Sequence, residues 1–231
     1  MSRQVVAMFA RIAERYDRAN TLITAGLHRQ WRRRAVRESG AAEGMHVLDC
    51  ATGTGDFALE FLRIVGSSGS VTATDVCEPM LDVFRRKLAG PLPNLRIEYA
   101  DMLDLPYHDA SFDVTSCGYG VRNADDPSCA LAEMARVTKP GGRVVILETG
   151  VPRRFPMTMV YTLYTRLLVP LIGCIVAGDR AAYEYLPRTA AHFPSGDDFV
   201  AMMRQTGAFD HIRSIPLLGG ASYIYVGIRR S

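Results

Sequence analysis

The chain has 231 residues, of which 48% are hydrophobic, with five cysteines and a formal net charge of +3. That length suits one large domain, and the apolar share is ample for a packed core, which excludes a disordered chain. The mild charge leaves no footprint for nucleic acid, and cysteines at 50, 77, 117, 129 and 174 are too scattered for a disulfide frame or a zinc site.

From the start, Val5, Met8, Phe9, Ile12 and Tyr16 recur at helical spacing and predict a helix over Val5–Tyr16. Arg3, Arg11, Glu14 and Arg15 interrupt any apolar run, so no secretory signal is read there and a cytoplasmic location is expected. A second helix is predicted over Leu27–Glu38, with Trp31 and Val36 inward and Arg29, Arg32, Arg33, Arg34 and Arg37 mostly outward. That cluster reads either as a solvated face or as an attraction to anionic lipid headgroups.

From His46 the pattern alternates. Strands are predicted at His46–Cys50, Val71–Asp75, Leu95–Tyr99, Phe112–Cys117 and Val144–Glu148. Helices fall between them at Asp56–Val65, Pro79–Leu88 and Pro127–Val137, the last with Asp126 as N-cap. Pro140, Gly141 and Gly142 mark a tight turn before the fifth strand. Strands separated by helices predict a parallel sheet covered on both faces. Phe155–Gly178 is strongly apolar but holds Pro156, Thr158, Thr162, Thr165 and Pro170. It reads as a helical lid over the sheet's carboxyl edge, or alternatively as an element dipping into a membrane. Ser195 and Asp198 predict a capping box for a helix ending near Gly207. His211–Pro216 and Ser222–Ile228 then form an antiparallel hairpin.

The organising stretch is Val47–Phe57, where a strand ends in Asp49 and a loop holding Gly53, Thr54 and Gly55 opens a helix. This loop also satisfies a loose dinucleotide fingerprint, so by itself it leaves two cofactor classes open. Position separates them. A pyrophosphate site puts its first glycine directly after the strand. Here an acid stands in that place, suited to a ligand that carries an ammonium and no phosphate, as S-adenosylmethionine does. Asp75 ends the second strand, where a carboxylate accepts ribose hydroxyls or else caps the next helix. Asp101 and Met102 follow the third strand, placed for an adenine ring or, for Asp101, for a turn. The five histidines show no metal-binding spacing, so no metal is expected.

Together these motifs resemble the class I methyltransferase pattern across Val47–Glu148. Tyr16, Asp17 and Asn20, then Gly26, Leu27, His28 and Trp31, then Gly120, Val121, Arg122 and Asn123 extend the resemblance. With Tyr185, Leu186 and Pro187, and Phe193 and Pro194, the chain is similar to the ubiquinone/menaquinone biosynthesis C-methyltransferases over nearly its whole length. The resemblance implies an α/β, Rossmann-like fold: a seven-stranded, mostly parallel sheet with an antiparallel C-terminal hairpin and an added helical lid. It implies one methyltransferase domain over 1–231, made of N-terminal helices (1–40), a cofactor-binding core (45–150), a lid (151–195), and a closing helix and hairpin (196–231). Thr54, Asp75, Asp101 with Met102, and the position of Gly118 correspond to the family's cofactor contacts. Two positions depart from its pattern: Gly118 stands where serine is common, and Ala51 where glycine is more usual.

Activating a quinol ring carbon requires its hydroxyl to lose a proton and the phenolate to be stabilised. Arg122 is assigned to that stabilisation and Asn123 to positioning, with Tyr16, His28 and Tyr119 lining the pocket. The alternative for Arg122 is a loop-fixing pair with Asp125 or Asp126. The expected partner is an isoprenoid quinol, with peripheral contact on the cytoplasmic face of a membrane. A homodimer is among the assemblies the chain allows, and nucleic acid is not expected. Rival readings are a methyltransferase for another phenolic metabolite, a nicotinamide oxidoreductase, and a non-catalytic cofactor-binding scaffold.

Overall fold

The computed structural model describes residues 1–152, 155–172 and 179–231. Seven strands form one sheet in the order β3-β2-β1-β4-β5-β7-β6. They are β1 His46–Cys50, β2 Ser70–Asp75, β3 Leu95–Tyr99, β4 Phe112–Gly118, β5 Thr138–Thr149, β6 Phe209–Leu217 and β7 Ser222–Arg229. The first five are parallel, and β7 enters antiparallel between β5 and β6.

Both faces are covered, which is why the central strands read as near-continuous apolar runs. Leu48, Leu131, Met134 and Ile146 pack on one side. Val47, Phe61, Val71 and Val145 pack on the other, as the alternation along a strand requires. The covering helices α4 Asp56–Val65 and α6 Pro127–Val137 have the predicted bounds. Asp126 caps α6, its side chain accepting from the amides of Ser128 and Cys129 at 2.9 and 3.0 Å. The third covering helix, α5, is Glu78–Lys87.

The sheet order reverses between β1 and β4, and Cys50 pairs with Cys117 there. The loops leaving both strands therefore face each other across a crevice at the carboxyl edge, the usual ligand position in such sheets. Helices roof this edge: α1 Arg3–Ile12 and α2 Tyr16–Ile23 from the N-terminal part, while α3 Leu27–Ser39 starts there and lays Ala35 and Val36 on the sheet face beside Val145. From the later segment come α7 Met157–Leu163, a π-helical turn Tyr164–Leu168, α8 Val169–Ile172 and α9 Arg180–His192. Met8, Phe9, Ile12, Met80, Val169 and Tyr183 join the two groups in one apolar cluster.

Several expectations are corrected. The first helix ends at Ile12, and a 3-10 turn Ala13–Arg15 makes Tyr16 the start of α2. Arg32 does not face outward but is buried and paired with Asp56 at 3.2 Å. Pro140–Gly142 does not precede the fifth strand; it is taken up inside β5, where the register against β4 shifts. The capping box at Ser195 does not form, because α10 Asp197–Gln205 takes Gly196, at φ 63°, as its cap. Ser195 thus lies one residue too early. The lid helix is interrupted by the π-helical turn Tyr164–Leu168, which holds Thr165. Thr162 and Thr165 bond the carbonyls of Thr158 and Tyr161, each at 2.8 Å, so their polarity is absorbed by the helix itself. The lid's end, 173–178, lies outside the described residues, as do Cys174 and Arg154. Among the described residues no helix is long and apolar enough to cross a membrane.

Candidate active site

The loop after β1 passes through left-handed backbone at Ala51 (φ 49°), Gly53 (φ 57°) and Gly55 (φ 83°). Two glycines make that path accessible, whereas Ala51 adopts it against its own Cβ. The glycine usual at this position in the family thus has a conformational reason. A Cβ on Gly53 would meet nothing within 4 Å, so its backbone lies open to a ligand. Its amide donates to Asp75 Oδ2 at 2.8 Å, and Cys77's amide donates to Asp75 Oδ1 at 2.8 Å. Burial pushes the Asp75 carboxyl upward, against the pull of these backbone bonds.

Asp49 and Thr54 are placed differently. Asp49 is fully buried, and its carboxylate accepts from Thr52 Oγ1 at 2.7 Å and Ser116 Oγ at 2.6 Å. It props the loop from below and does not open on the crevice. Thr54 Oγ1 donates to Asp17 Oδ1 at 2.6 Å, tying the loop to α2. Asp101 accepts from the amide of Leu103 at 3.0 Å, and Met102 packs against the core.

A small cavity of about 50 Å³ lies where the β1 and β4 loops meet. Phe9, Tyr16, Gly53, Asp75, Met80, Gly118, Tyr119 and Asn123 are among its walls. Gly118 has a local reason to be glycine, since a Cβ there would stand 3.0 Å from the Phe57 ring. Among the described residues no lysine or arginine side chain lines this cavity, and the one cation at its wall, the Met1 ammonium, is engaged by Asp125 at 3.1 Å. A sulfonium nucleoside would find the Asp75 carboxylate, the open backbone face at Gly53 and apolar walls. The donor set therefore fits S-adenosylmethionine. Pockets for ligands of this size span about 300–1,000 Å³, so this cavity is only the innermost part of such a site.

A second cavity, about 390 Å³, opens beside it beneath the lid. Its walls include Ile23, Trp31, Val160, Tyr161, Tyr164 and Val169, with His28, Arg122, Thr149 and Ser222 among the polar residues. Tyr16 and Tyr119 line both cavities and form the partition between them. Arg122 pairs with neither Asp125 nor Asp126. Its Nη1 donates to Glu148 Oε1 at 2.5 Å, and both side chains are buried. Burial works against its charge, but the Glu148 carboxylate prevails and its pKa is raised. Its Nε is buried without a hydrogen-bond partner. Asn123 Nδ2 donates to the Tyr119 carbonyl at 3.3 Å, and Tyr185 Oη donates to Asn123 Oδ1 at 3.3 Å.

The ubiE/COQ5 methyltransferase family matches residues 1–229. The chain belongs to that family. A ubiquinone/menaquinone biosynthesis C-methyltransferase UbiE from Bdellovibrio bacteriovorus is 44% identical over 220 residues, covering 95% of this chain and 93% of the relative. A demethylmenaquinone methyltransferase from Staphylococcus aureus is 36% identical over 226 residues, covering 98% and 93%. Among solved structures, a SAM-dependent methyltransferase from Thermotoga maritima, a possible histamine N-methyltransferase, superposes with a TM-score of 0.68. It is 18% identical, with 98% of this chain and 100% of that one covered. As a family member the chain is an S-adenosylmethionine-dependent methyltransferase, with the α/β fold of class I.

Sequence reasoning missed Glu148, Thr149 and Ser222. Glu148 carried one signal, an acid closing an otherwise apolar strand; nothing local links it to Arg122, 26 positions earlier. His28 was placed on the pocket wall, and its state follows from its neighbours. Thr24 Oγ1 donates its one proton to the Asn20 carbonyl at 2.7 Å, so His28 Nδ1, 2.6 Å away, is the donor and Nε2 carries the lone pair. Burial, then the Arg32 charge, push its pKa down to about 4. A depressed pKa means the unfolded chain binds the extra proton first. The stability His28 contributes is therefore present above about pH 6.5 and lost as pH falls towards 4. Against His28→Gln, the wild type should lose on the order of 2 kcal/mol between pH 7 and pH 4, measured by denaturant melts. Identical pH dependence in the two proteins would remove this account of His28.

Proposed function

We propose that this chain is a C-methyltransferase acting on a demethylated polyprenyl quinol. The observation that carries the reading is the partition of Tyr16 and Tyr119, which sets an apolar cavity directly against the cofactor crevice. The names of the relatives, UbiE and demethylmenaquinone methyltransferase, support the same substrate class. Gly53, Asp75, Gly118 and Asn123 would hold the cofactor from the crevice walls, with Asp49 and Thr54 fixing the loop from behind. When bound, S-adenosylmethionine supplies an electrophilic methyl group on its sulfonium. Arg122 would stabilise the phenolate of the quinol, Asn123 would hold the Tyr119 backbone that shapes the partition, and the lid would exclude water and take the prenyl tail.

The lid also supports contact with a bilayer. Met159, Leu163, Leu167 and Leu171 are 60, 61, 61 and 54% exposed, at helical spacing along its outer side. A row of that kind suits a helix lying in the headgroup region, from which a lipid substrate would enter.

Purified protein, given demethylated benzoquinol and naphthoquinol substrates in liposomes under reducing conditions, should transfer radiolabelled methyl to ring carbon of at least one head group. Long-tailed substrates should be preferred to tail-truncated ones. Equal rates for truncated quinols, or methylation only of unrelated phenols, would move the assignment to another phenolic metabolite.

A further inference from the structure

We propose that Glu148 is the proton acceptor for the substrate's ring hydroxyl, reached through the hydroxyl of Thr149. The proposal rests on the quinol reading above. Glu148 is the penultimate residue of β5 and is wholly buried. Every bond recorded to its carboxylate comes from a donor: Arg122 Nη1 at 2.5 Å, the Arg122 amide at 3.3 Å, the Thr149 amide at 2.7 Å and Thr149 Oγ1 at 3.1 Å. Its carboxylate sits among four donors, one residue behind the cavity wall.

All four donors belong to Arg122 and Thr149, and both residues line the large cavity. Thr149 gives its single hydroxyl proton to Glu148, so it can only accept from a ligand. Arg122 brings its guanidinium to the cavity wall, its Nε buried there with no hydrogen-bond partner among the described residues. A hydroxyl bound between them meets an acceptor for its proton and a cation for its oxygen. That pairing suits a phenol about to ionise and is poorly suited to a ligand that stays neutral.

The charge balance favours the transfer. In water a phenol is roughly a million-fold weaker an acid than a carboxylic acid, so a lone carboxylate would rarely ionise it. Here the guanidinium exchanges a carboxylate for a phenolate, and the buried site holds the same net charge before and after. The O–H bond of the substrate breaks and its electron pair stays on oxygen. Its proton goes to Thr149 Oγ as Thr149's own proton goes to Glu148 Oε1. When the ring regains aromaticity, its C–H proton leaves to water and the oxygen recovers a proton along the same two atoms.

The neighbouring titratable groups are poor substitutes. Burial pushes the Tyr119 phenol up to about 12, and its oxygen lies 3.3 Å from Ser222 Oγ. Tyr161 and Tyr164 on the lid are also shifted upward by burial, and His28 is held down at about 4. On the adjoining strands Cys117 and Tyr225 are kept protonated by burial. Tyr16 and Arg32 complete the titratable lining of the cavity, and Arg32 is engaged by Asp56. Tyr223 stands opposite Glu148 in the β5–β7 register.

The test compares Thr149→Val, Thr149→Ser and Glu148→Gln with the wild type. The Thr149 variants leave the buried ion pair intact, which guards against a simple folding failure. With demethylated quinol, Thr149→Val should lower kcat by about 10²–10⁴ with KM little changed, and Thr149→Ser should restore most of it. Independently of turnover, 1-naphthol bound to the protein should ionise about one to two pH units lower in the wild type and Thr149→Ser than in Thr149→Val or Glu148→Gln, read by absorbance. A Thr149→Val enzyme with wild-type kcat and naphthol titration, or a Thr149→Ser enzyme as impaired as Thr149→Val, would overturn the relay. If no quinol is methylated by the wild type, the substrate reading fails, while the naphthol titration still decides for or against the relay.

Discussion

Arg122→Met is expected to lower methyl transfer by about 10²–10³ and also to destabilise the protein by about 3–5 kcal/mol. The two effects have different origins. The chemical loss follows from removing the cation proposed to face the phenolate, in a site where burial strengthens electrostatic stabilisation. The folding loss follows from Glu148, which would remain buried, at 1% side-chain exposure, without its ionic partner. Pairing the change with Glu148→Gln separates them. The double variant should recover most of the melting temperature, because no uncompensated charge remains, but none of the activity. Arg122→Lys keeps the charge, but a shorter side chain must bring its ammonium to the place of Nη1, which alone serves both the Tyr119 carbonyl at 2.8 Å and Glu148, so an intermediate loss is expected. Near-normal kcat in a folded Arg122→Met protein would show that the residue only fixes the loop.

Much of the fold was legible because its signals are local. β1, the glycine loop and α4 follow one another within twenty residues, and each carries its own mark: an apolar run, left-handed backbone, then a helical period. The cap at Asp126 was equally visible, since the residues that make it are adjacent. One local signal failed by a single position: Ser195 has the chemistry of a cap, but the left-handed backbone at Gly196 starts α10 one residue later. The lid threonines turn their hydroxyls back onto the helix, a contact that residue type alone does not reveal.

The site was legible in its residue types and less so in its partnerships. Asp49, at the end of β1, reads as a ligand for an ammonium group, and in the structure its oxygens are taken by Thr52 and Ser116. Ser116 lies 67 positions away on β4, so only the sheet order brings the two together. Arg122 shows the same limit. Nearby acids at 125 and 126 suggest a short-range pair, whereas the carboxylate it meets belongs to the next strand in the sheet. Parallel sheets with helical crossovers place distant strand ends side by side, so partnerships at their carboxyl edge are set by topology, not by spacing.

Gly55→Ala should produce the second large effect, and comparison with Gly53→Ala explains why. Both glycines are left-handed, so each substitution carries backbone strain of about 1 kcal/mol. At Gly55 the new methyl would also fall 2.2 Å from Phe84 Cδ2, in a ring that is itself fully buried. Phe84 cannot retreat without displacing the core behind β2, which adds overpacking of about 1–3 kcal/mol. A total loss of about 2–4 kcal/mol is expected, and the shifted loop should weaken cofactor binding as well. At Gly53 the methyl enters open space at the cavity, so folding should suffer only the strain while cofactor affinity drops by tenfold or more, roughly the cost of crowding a ligand contact. Adding Phe84→Leu to Gly55→Ala should return part of the lost stability, because the collision is with that ring. Melting curves and calorimetric titration with S-adenosylmethionine distinguish the cases. Equal stability losses at both positions would mean that strain alone governs the loop and that Phe84 has no part in setting its path.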